Sequence, residues 1–219
     1  MVTKRLATLV AAIAVCIAAA VPASASAQDP ILFVHGYVES ASLWNTMIAN
    51  FEKDGYPKSY LSAYSYNTSQ SNKIDAEEVK TKVEALLKST GATKVDIIAH
   101  SMGSLNSRYY IKNLGGESKV DDWVSLGGPN HGTETANFCF SASCVEMRVG
   151  STFLKELNAT DETPGAVNYG TWWSPCDEII NPDSSVALTG ATNTKTACIS
   201  HTALTTDSTV YGQVREFVK

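Results

Sequence analysis

A short apolar run that ends in a serine constrains this chain more than any other feature. Val95 to Ala99 has the composition of a buried strand, and a helical pattern begins just after Ser101. A strand, a sharp turn and a helix in this order form a nucleophile elbow, which holds its serine in a strained backbone conformation. The residues two before and two after the serine must be small, and here they are Ala99 and Gly103. The stretch therefore predicts that Ser101 is a nucleophile.

The first 27 residues have the pattern of a secretory signal peptide. Lys4 and Arg5 precede an apolar run over residues 6–21, and small residues follow it. A charged start, an apolar core and an A-x-A site are the parts of such a peptide. The run is shorter than the roughly 20 apolar residues that a membrane span needs. We expect cleavage after Ala27, with Ala25 as the alternative, and a secreted product without a stable membrane anchor.

Charge and length limit what the exported part can be. The 219-residue chain has a net charge of −5, and loss of Lys4 and Arg5 with the leader makes the remainder more acidic. An acidic product has no electrostatic attraction to nucleic acid or to anionic membranes. Residues 28–219 suffice for one domain with a sizeable core, and no internal repeat or linker divides them. We predict a single catalytic domain, monomeric, that binds no nucleic acid.

Four cysteines follow the leader, namely Cys139, Cys144, Cys176 and Cys198. An even number in an exported chain favours two disulfides, and four cysteines allow three pairings. We favour the two sequence-adjacent pairs, Cys139–Cys144 and Cys176–Cys198, although the sequence leaves the pairing open. No C-x-x-C motif occurs, which argues against a zinc or thioredoxin-like site.

Strands and helices alternate after the leader, which predicts an α/β domain with a mostly parallel sheet, right-handed crossovers and flanking helices. Strands are predicted at 31–34, 60–66, 95–99, 120–126, 167–173 and 196–200. Helices are predicted from 42 to about 54, from a cap at Asn72 or Asp75 to 90, and at about 102–113, 151–157 and 209–218.

A serine nucleophile needs a base, and the base needs an acid that fixes its tautomer. After such an elbow the chain order is serine, acid, histidine, on loops that follow late strands. His35 and His100 precede the serine, so only His131 and His201 can be the base. His131 lies in a glycine-rich turn, whereas His201 follows the last predicted strand. We assign His201 as the base and a packing role to His131.

The acid must lie between Ser101 and His201. Asp177 follows the aromatic strand at 167–173 and is the favoured candidate, with Asp183 as the alternative. The other carboxylates considered precede a strand or lie in a polar turn: Asp121, Asp122, Asp161 and Glu162.

Two backbone N–H groups must stabilise the oxyanion of the tetrahedral intermediate. One belongs to the residue after the nucleophile, Met102. The other belongs to the loop after the first strand, which ends at His35 and Gly36, and we assign it to Tyr37. Because both donors are backbone groups, the side chains of Tyr37 and Met102 are free to line a pocket.

The similarity to a known family is carried by four runs: Phe33–Gly36, Lys94–Gly103, Tyr109–Leu114 and Ser125–Gly128. Together they closely resemble the small secreted bacterial triacylglycerol lipases with an A-x-S-x-G elbow. The run Gly127–Thr133 resembles the related class 2 lipases. The resemblance implies a minimal α/β-hydrolase fold, a lipid ester as substrate and no metal or other cofactor. It also implies that Asp177 is the acid and His201 the base, because both lie in sequence contexts typical of the family.

The chain departs from this family in its cysteines, which the smallest members lack. The insertion Phe138–Val145 is a further addition. The length leaves little room for a lid domain, so we expect an open site with weak interfacial activation. The aromatic candidates for lining an apolar groove are Trp172, Trp173, Tyr37, Phe138 and Phe140.

Several functions share this chemistry. A short-chain carboxylesterase and a cutinase-like polyester hydrolase would differ from a lipase only in the shape of the groove. A peptidase or amidase on the same fold, and a binding module with a relic site, are the alternatives from other classes.

Overall fold

The computed structural model describes Met1 and residues 28–219, so the predicted signal peptide lies outside the described residues apart from Met1. Its centre is a sheet of six strands: β1 (Ile31–Val34), β2 (Leu61–Ala63), β3 (Val95–His100), β4 (Val120–Leu126), β5 (Asn168–Trp173) and β6 (Thr192–Lys195). The order is β2-β1-β3-β4-β5-β6, and every neighbouring pair is parallel. The predicted parallel α/β architecture is confirmed.

Helices cover both faces of this sheet. They are α1 (Asn45–Lys53), α2 (Asn72–Thr90), α3 (Gly103–Asn113), α4 (Ala142–Met147), α5 (Thr152–Leu157) and α6 (Ser208–Phe217). Leu32 and Ile97 belong to the core cluster beneath α2 and α3, whereas Phe33 and Ile98 belong to the cluster beneath α1 and α6. Successive side chains of a strand point to opposite faces, so a strand covered on both faces must be apolar throughout. This is why β1 is a continuous apolar run and β3 is apolar apart from Asp96 and His100.

The ends of α2 differ from the predicted cap. Ser71, rather than Asn72 or Asp75, is the N-cap, and its side chain accepts a hydrogen bond from the backbone N–H of Lys73. Asp75 is buried in the first turn. Gly91 ends the helix in the left-handed conformation, with φ of +75°, as a glycine after the last turn commonly does.

Two features of the second half were not predicted correctly. The last strand is Thr192–Lys195, so the prediction of a strand at 196–200 was wrong. This strand lies at the edge of the sheet and is largely exposed, so its side chains are polar and show no apolar alternation. The helix α4 was not predicted, and most of it falls in the segment Phe138–Val145 that was interpreted as an insertion. It lies in the long crossover between β4 and β5.

Candidate active site

The candidate nucleophile Ser101 lies at the turn between β3 and α3. Its φ is +53°, a conformation that costs a non-glycine residue on the order of 1–3 kcal/mol. Its backbone N–H donates to the carbonyl oxygen of Leu126 at 2.9 Å, which fixes the turn to the end of β4. The strain predicted for an elbow is therefore present at Ser101.

Two glycines permit the close approach that this turn requires. A Cβ on Gly103 would lie 2.5 Å from the carbonyl oxygens of both Val34 and His35. A Cβ on Gly36 would lie 2.6 Å from the Cβ of Ser101. Any larger residue would push α3 and the loop after β1 away from the serine.

The favoured acid and base are in contact. The Nδ1 atom of His201 lies 2.8 Å from Oδ2 of Asp177, and both side chains are almost fully buried. The other oxygen of Asp177 accepts the backbone N–H groups of Ile179 and Ile180, each at 2.9 Å. Asp177, and not Asp183, is thus the carboxylate at His201. With Nδ1 directed to the carboxylate, Nε2 is the nitrogen left to act as a base.

Burial and hydrogen bonding act in opposite directions on this pair. Burial alone would raise the pKa of Asp177, but the hydrogen bond and charge of His201, together with the two backbone N–H groups, bring that pKa below its usual value. Burial lowers the pKa of His201, and the contact with Asp177 offsets this only in part. A carboxylate next to a neutral imidazole is the resting state that general-base chemistry requires.

The loops of the acid and the base are joined covalently. A disulfide links Cys176, next to Asp177, to Cys198, three residues before His201. The Oγ of Ser174 also accepts the backbone N–H of Ile199 at 3.0 Å. The other disulfide is Cys139–Cys144. Both bridges join the sequence-adjacent pairs.

The loop after β1 is also strained. Val38 has φ of +53°, which is rare for a β-branched residue, and its N–H donates to Oγ1 of Thr68 at 3.2 Å. The N–H of Gly36 donates to Oε2 of Glu39 at 2.6 Å. In the part of the chain that the structure describes, the backbone N–H groups of Tyr37 and Met102 donate to no other group, so both are available to a ligand.

Ser101 and His201 lie in the wall of one open cleft with a volume of about 410 Å³. The rest of its lining is mainly apolar and includes Tyr37, Val38, Pro129, Ala136, Phe138, Met147, Ile179 and Ile180. Of the other aromatic candidates, Trp172 packs against Phe217, Trp173 packs beneath Lys195, and Phe140 is exposed outside the cleft.

The alternative base lies elsewhere. His131 is absent from the cleft lining, and its Nε2 atom lies 2.7 Å from Oε1 of Glu162. Among residues 28–219, no three histidine, cysteine or acidic side chains cluster in a way that could hold a metal ion.

Sequence reasoning missed Glu39, which lines the cleft, and its hydrogen bond with His100. The only local signal for Glu39 is a charged residue three positions after the His-Gly pair. Its partner is 61 positions away, so no local pattern links them.

Comparison with known proteins adds a family match. The model of the family described as lipase (class 2) matches residues 28–216. A triacylglycerol lipase of Pseudarthrobacter phenanthrenivorans is 26% identical over 120 residues, which cover 52% of this chain and 37% of that protein. A triacylglycerol lipase of Burkholderia plantarii is also 26% identical over 120 residues, 52% of this chain and 33% of the relative. The matched part spans about a third of the length of these relatives.

Solved structures share the fold. The mature form of Bacillus licheniformis lipase BlEst2 superposes with a TM-score of 0.79 at 18% identity, covering 89% of this chain and 93% of that one. Aspergillus fumigatus lipase B gives a TM-score of 0.72 at 16% identity, covering 84% of this chain and 51% of that one. The domain therefore has the α/β-hydrolase fold.

Replacing Gly103 tests the steric account of the turn. We expect Gly103→Ala to lower the free energy of unfolding by about 1–3 kcal/mol, because the added Cβ meets two backbone oxygens that cannot both move aside. Urea unfolding measures this. The matched control is Gly212→Ala in α6, where an added Cβ meets nothing within 4 Å and should stabilise the helix by about 0.5–1 kcal/mol. Equal stability of the two variants would contradict the account.

Proposed function

Because the chain belongs to the class 2 lipase family, we propose that it is a secreted serine hydrolase that cleaves carboxylic esters of lipids, with triacylglycerols as substrates. The observation that carries the proposal is the hydrogen-bonded pair of His201 and Asp177 in the same cleft as the strained Ser101. The triacylglycerol lipases among the relatives support the class of substrate.

In the proposed reaction, Nε2 of His201 takes the proton from Oγ of Ser101 as this oxygen attacks the ester carbonyl. Asp177 keeps the imidazole in the required tautomer and stabilises the imidazolium that forms. His201 then gives its proton to the departing alcohol, which leaves an acyl-enzyme. A water molecule, deprotonated by His201, hydrolyses that acyl-enzyme and releases the fatty acid.

The carbonyl oxygen gains negative charge in the tetrahedral intermediate. The N–H groups of Tyr37 and Met102 are proposed to donate to it. One such donor is typically worth a factor of about 10²–10³ in rate. The strained turns at Ser101 and Val38 set the backbone of this region before substrate arrives, so the donors need no rearrangement during the reaction.

Export is the second part of the proposal. The leader pattern with its site after Ala27 supports it. The two disulfides also support it, because such bonds persist in oxidising compartments. No helix among residues 28–219 is long and apolar enough to cross a membrane.

Contact with a lipid surface is the third part. Phe138 is 86% exposed and Phe140 is 83% exposed, and Phe138 also lines the cleft. Neighbouring exposed apolar side chains at the mouth of a cleft are typical of a contact surface. The disulfide Cys139–Cys144 constrains this loop, and the Arg148 guanidinium donates to the carbonyl oxygen of Cys139 at 2.9 Å. Because the loop is already ordered, seating the two rings in lipid costs little conformational entropy.

The first test is hydrolysis of a triglyceride series from short to long acyl chains, followed by pH-stat titration, with Ser101→Ala in parallel. We expect turnover of emulsified long-chain substrate and a loss of about 10⁴-fold or more in the variant, since only background catalysis by the oxyanion donors remains. Activity confined to soluble short esters would make the protein a carboxylesterase. An unchanged rate in Ser101→Ala would exclude this serine as the nucleophile.

The pH dependence follows from the low pKa of His201. A base works only when neutral, and burial lets His201 stay neutral below its ordinary pKa of about 6.5. The acid limb of kcat/KM for a soluble ester should therefore have its midpoint below about 6.5. A midpoint above that value would show that the pKa of the base is raised, contrary to the buried geometry.

Removal of the two exposed rings separates lipid contact from chemistry. In Phe138→Ser/Phe140→Ser we expect turnover of emulsified triglyceride to fall by about tenfold or more, because two buried aromatic contacts with lipid are lost. Turnover of a soluble short-chain ester should fall by a much smaller factor, because Phe138 is only one of many apolar side chains in the cleft and Phe140 lies outside it. The control is Ile74→Ser, which removes an exposed apolar side chain that is not in the cleft lining. Equal losses on both substrates would count against a lipid-contacting surface.

A further inference from the structure

A hydrogen-bonded pair, His100 and Glu39, lies beside the proposed triad. The ring of His100 is fully buried, and its Nδ1 atom lies 2.9 Å from Oε2 of Glu39. Its Nε2 atom lies 3.2 Å from the carbonyl oxygen of His201. The same oxygen of Glu39 also accepts the N–H of Gly36 at 2.6 Å. These contacts connect the loop that carries Tyr37 to the backbone of His201.

Both ring nitrogens of His100 face hydrogen-bond acceptors. The carbonyl oxygen of His201 can only accept. Burial alone would raise the pKa of Glu39, but the hydrogen bond and charge of His100 and the N–H of Gly36 lower it, so Glu39 is an ionised acceptor at neutral pH. A neutral imidazole has one N–H and can satisfy only one of these acceptors. Two N–H donors require the imidazolium form.

We propose that Glu39 and His100 form an imidazolium–carboxylate pair that positions the oxyanion loop against the base and holds a positive charge next to His201. Both are positioning residues, and the inference rests on the proposed triad mechanism. Glu39 fixes the loop through Gly36, next to Tyr37. His100 fixes the base by holding its backbone carbonyl.

The charge of the pair matters because Glu39 is close to the reacting atoms. A Cβ on Gly36 would lie 2.7 Å from Oε2 of Glu39 and 3.2 Å from Oγ of Ser101. An isolated carboxylate there would repel the negative oxyanion. The positive ring of His100 neutralises that carboxylate.

The same positive ring acts on the base. The rings of His100 and His201 have centroids 4.5 Å apart. Burial is the largest cause of the low pKa of His201, and the charge of His100 lowers that pKa further. The other titratable groups around His100 are Glu39, which opposes this effect on His201, and His35, whose pKa burial lowers. Beyond His201 lies Asp177, its hydrogen-bond partner.

The protonation state can be measured without any activity. In ¹⁵N-histidine NMR of the protein at neutral pH, we expect His100 to show two protonated ring nitrogens. His131 also faces two acceptors, Glu162 and the carbonyl oxygen of Ser185. His131→Gln identifies its signal, because this half-exposed side chain is not in the cleft lining. Glu39→Gln should convert His100 to the neutral form. An unprotonated nitrogen on His100 in the unsubstituted protein would overturn the proposal.

The effect on the base is read from the pH profile. In His100→Gln the positive charge is lost, so His201 keeps its proton to higher pH. The acid limb of kcat/KM should move up by about one pH unit. We also expect kcat to fall by about 10- to 100-fold with KM little changed, as when reacting groups are slightly misplaced. His35→Gln is the matched control. This second buried histidine makes no hydrogen bond to Glu39 or His201, and because burial lowers its pKa its loss removes no positive charge. The acid limb of its pH profile should stay in place.

The outcomes separate this proposal from the proposed function. The pairing is overturned if the acid limb of the pH profile of kcat/KM stays in place or moves to lower pH in folded His100→Gln. An equal shift of the limb in His35→Gln also overturns it. Reaction with a fluorophosphonate counts the folded, competent sites in each variant. If the unsubstituted protein turns over no ester, the proposed function fails, while the NMR result still decides whether the ion pair exists.

Discussion

The close packing of Gly103 against the end of β1 is the constraint on which the site depends. The carbonyl oxygens of Val34 and His35 can approach Gly103 only because glycine has no Cβ. That approach lets α3 start directly after Ser101, which in turn requires the positive φ of the serine. The strain is tolerable because β3 is fully buried between two helical layers, and the burial of its apolar side chains far exceeds a cost of a few kcal/mol.

The parallel sheet explains why residues far apart in sequence meet. All strands point the same way, so the loops after β1, β3 and β5 lie at one edge. The first of these loops carries Tyr37 and Glu39, the second carries Ser101, and the third carries Asp177. His201 follows β6 and reaches the same edge. The site is thus assembled from four short loops, each fixed at its start by a buried or paired strand.

The sequence predicted the parts of the molecule whose role is local. Strands β1 and β4 were predicted with their observed bounds because both are largely buried and rich in apolar residues. Chain order limited the acid to the residues between Ser101 and His201, and the position of Asp177 after an aromatic strand, together with the family resemblance, favoured it over Asp183. The edge strand Thr192–Lys195 was missed because its stability comes from backbone pairing. Such a strand needs no apolar side chains, so its sequence shows no apolar pattern. The contact between Glu39 and His100 was missed for a related reason, since neither residue belongs to a periodic pattern.

The two disulfides contribute to the structure in different ways. A crosslink stabilises mainly by reducing the entropy of the unfolded chain, by about 3 kcal/mol for a loop of about 15 residues, and more for longer loops. Cys176–Cys198 spans 22 positions and joins the loop of the acid to the segment that leads to the base.

The second bridge, Cys139–Cys144, spans only five positions, so it contributes less to global stability. Its consequence is local, because it orders the loop that exposes Phe138 and Phe140. The acid–base pair and the exposed aromatic surface are therefore held by separate covalent constraints, so a change in one can leave the geometry of the other intact.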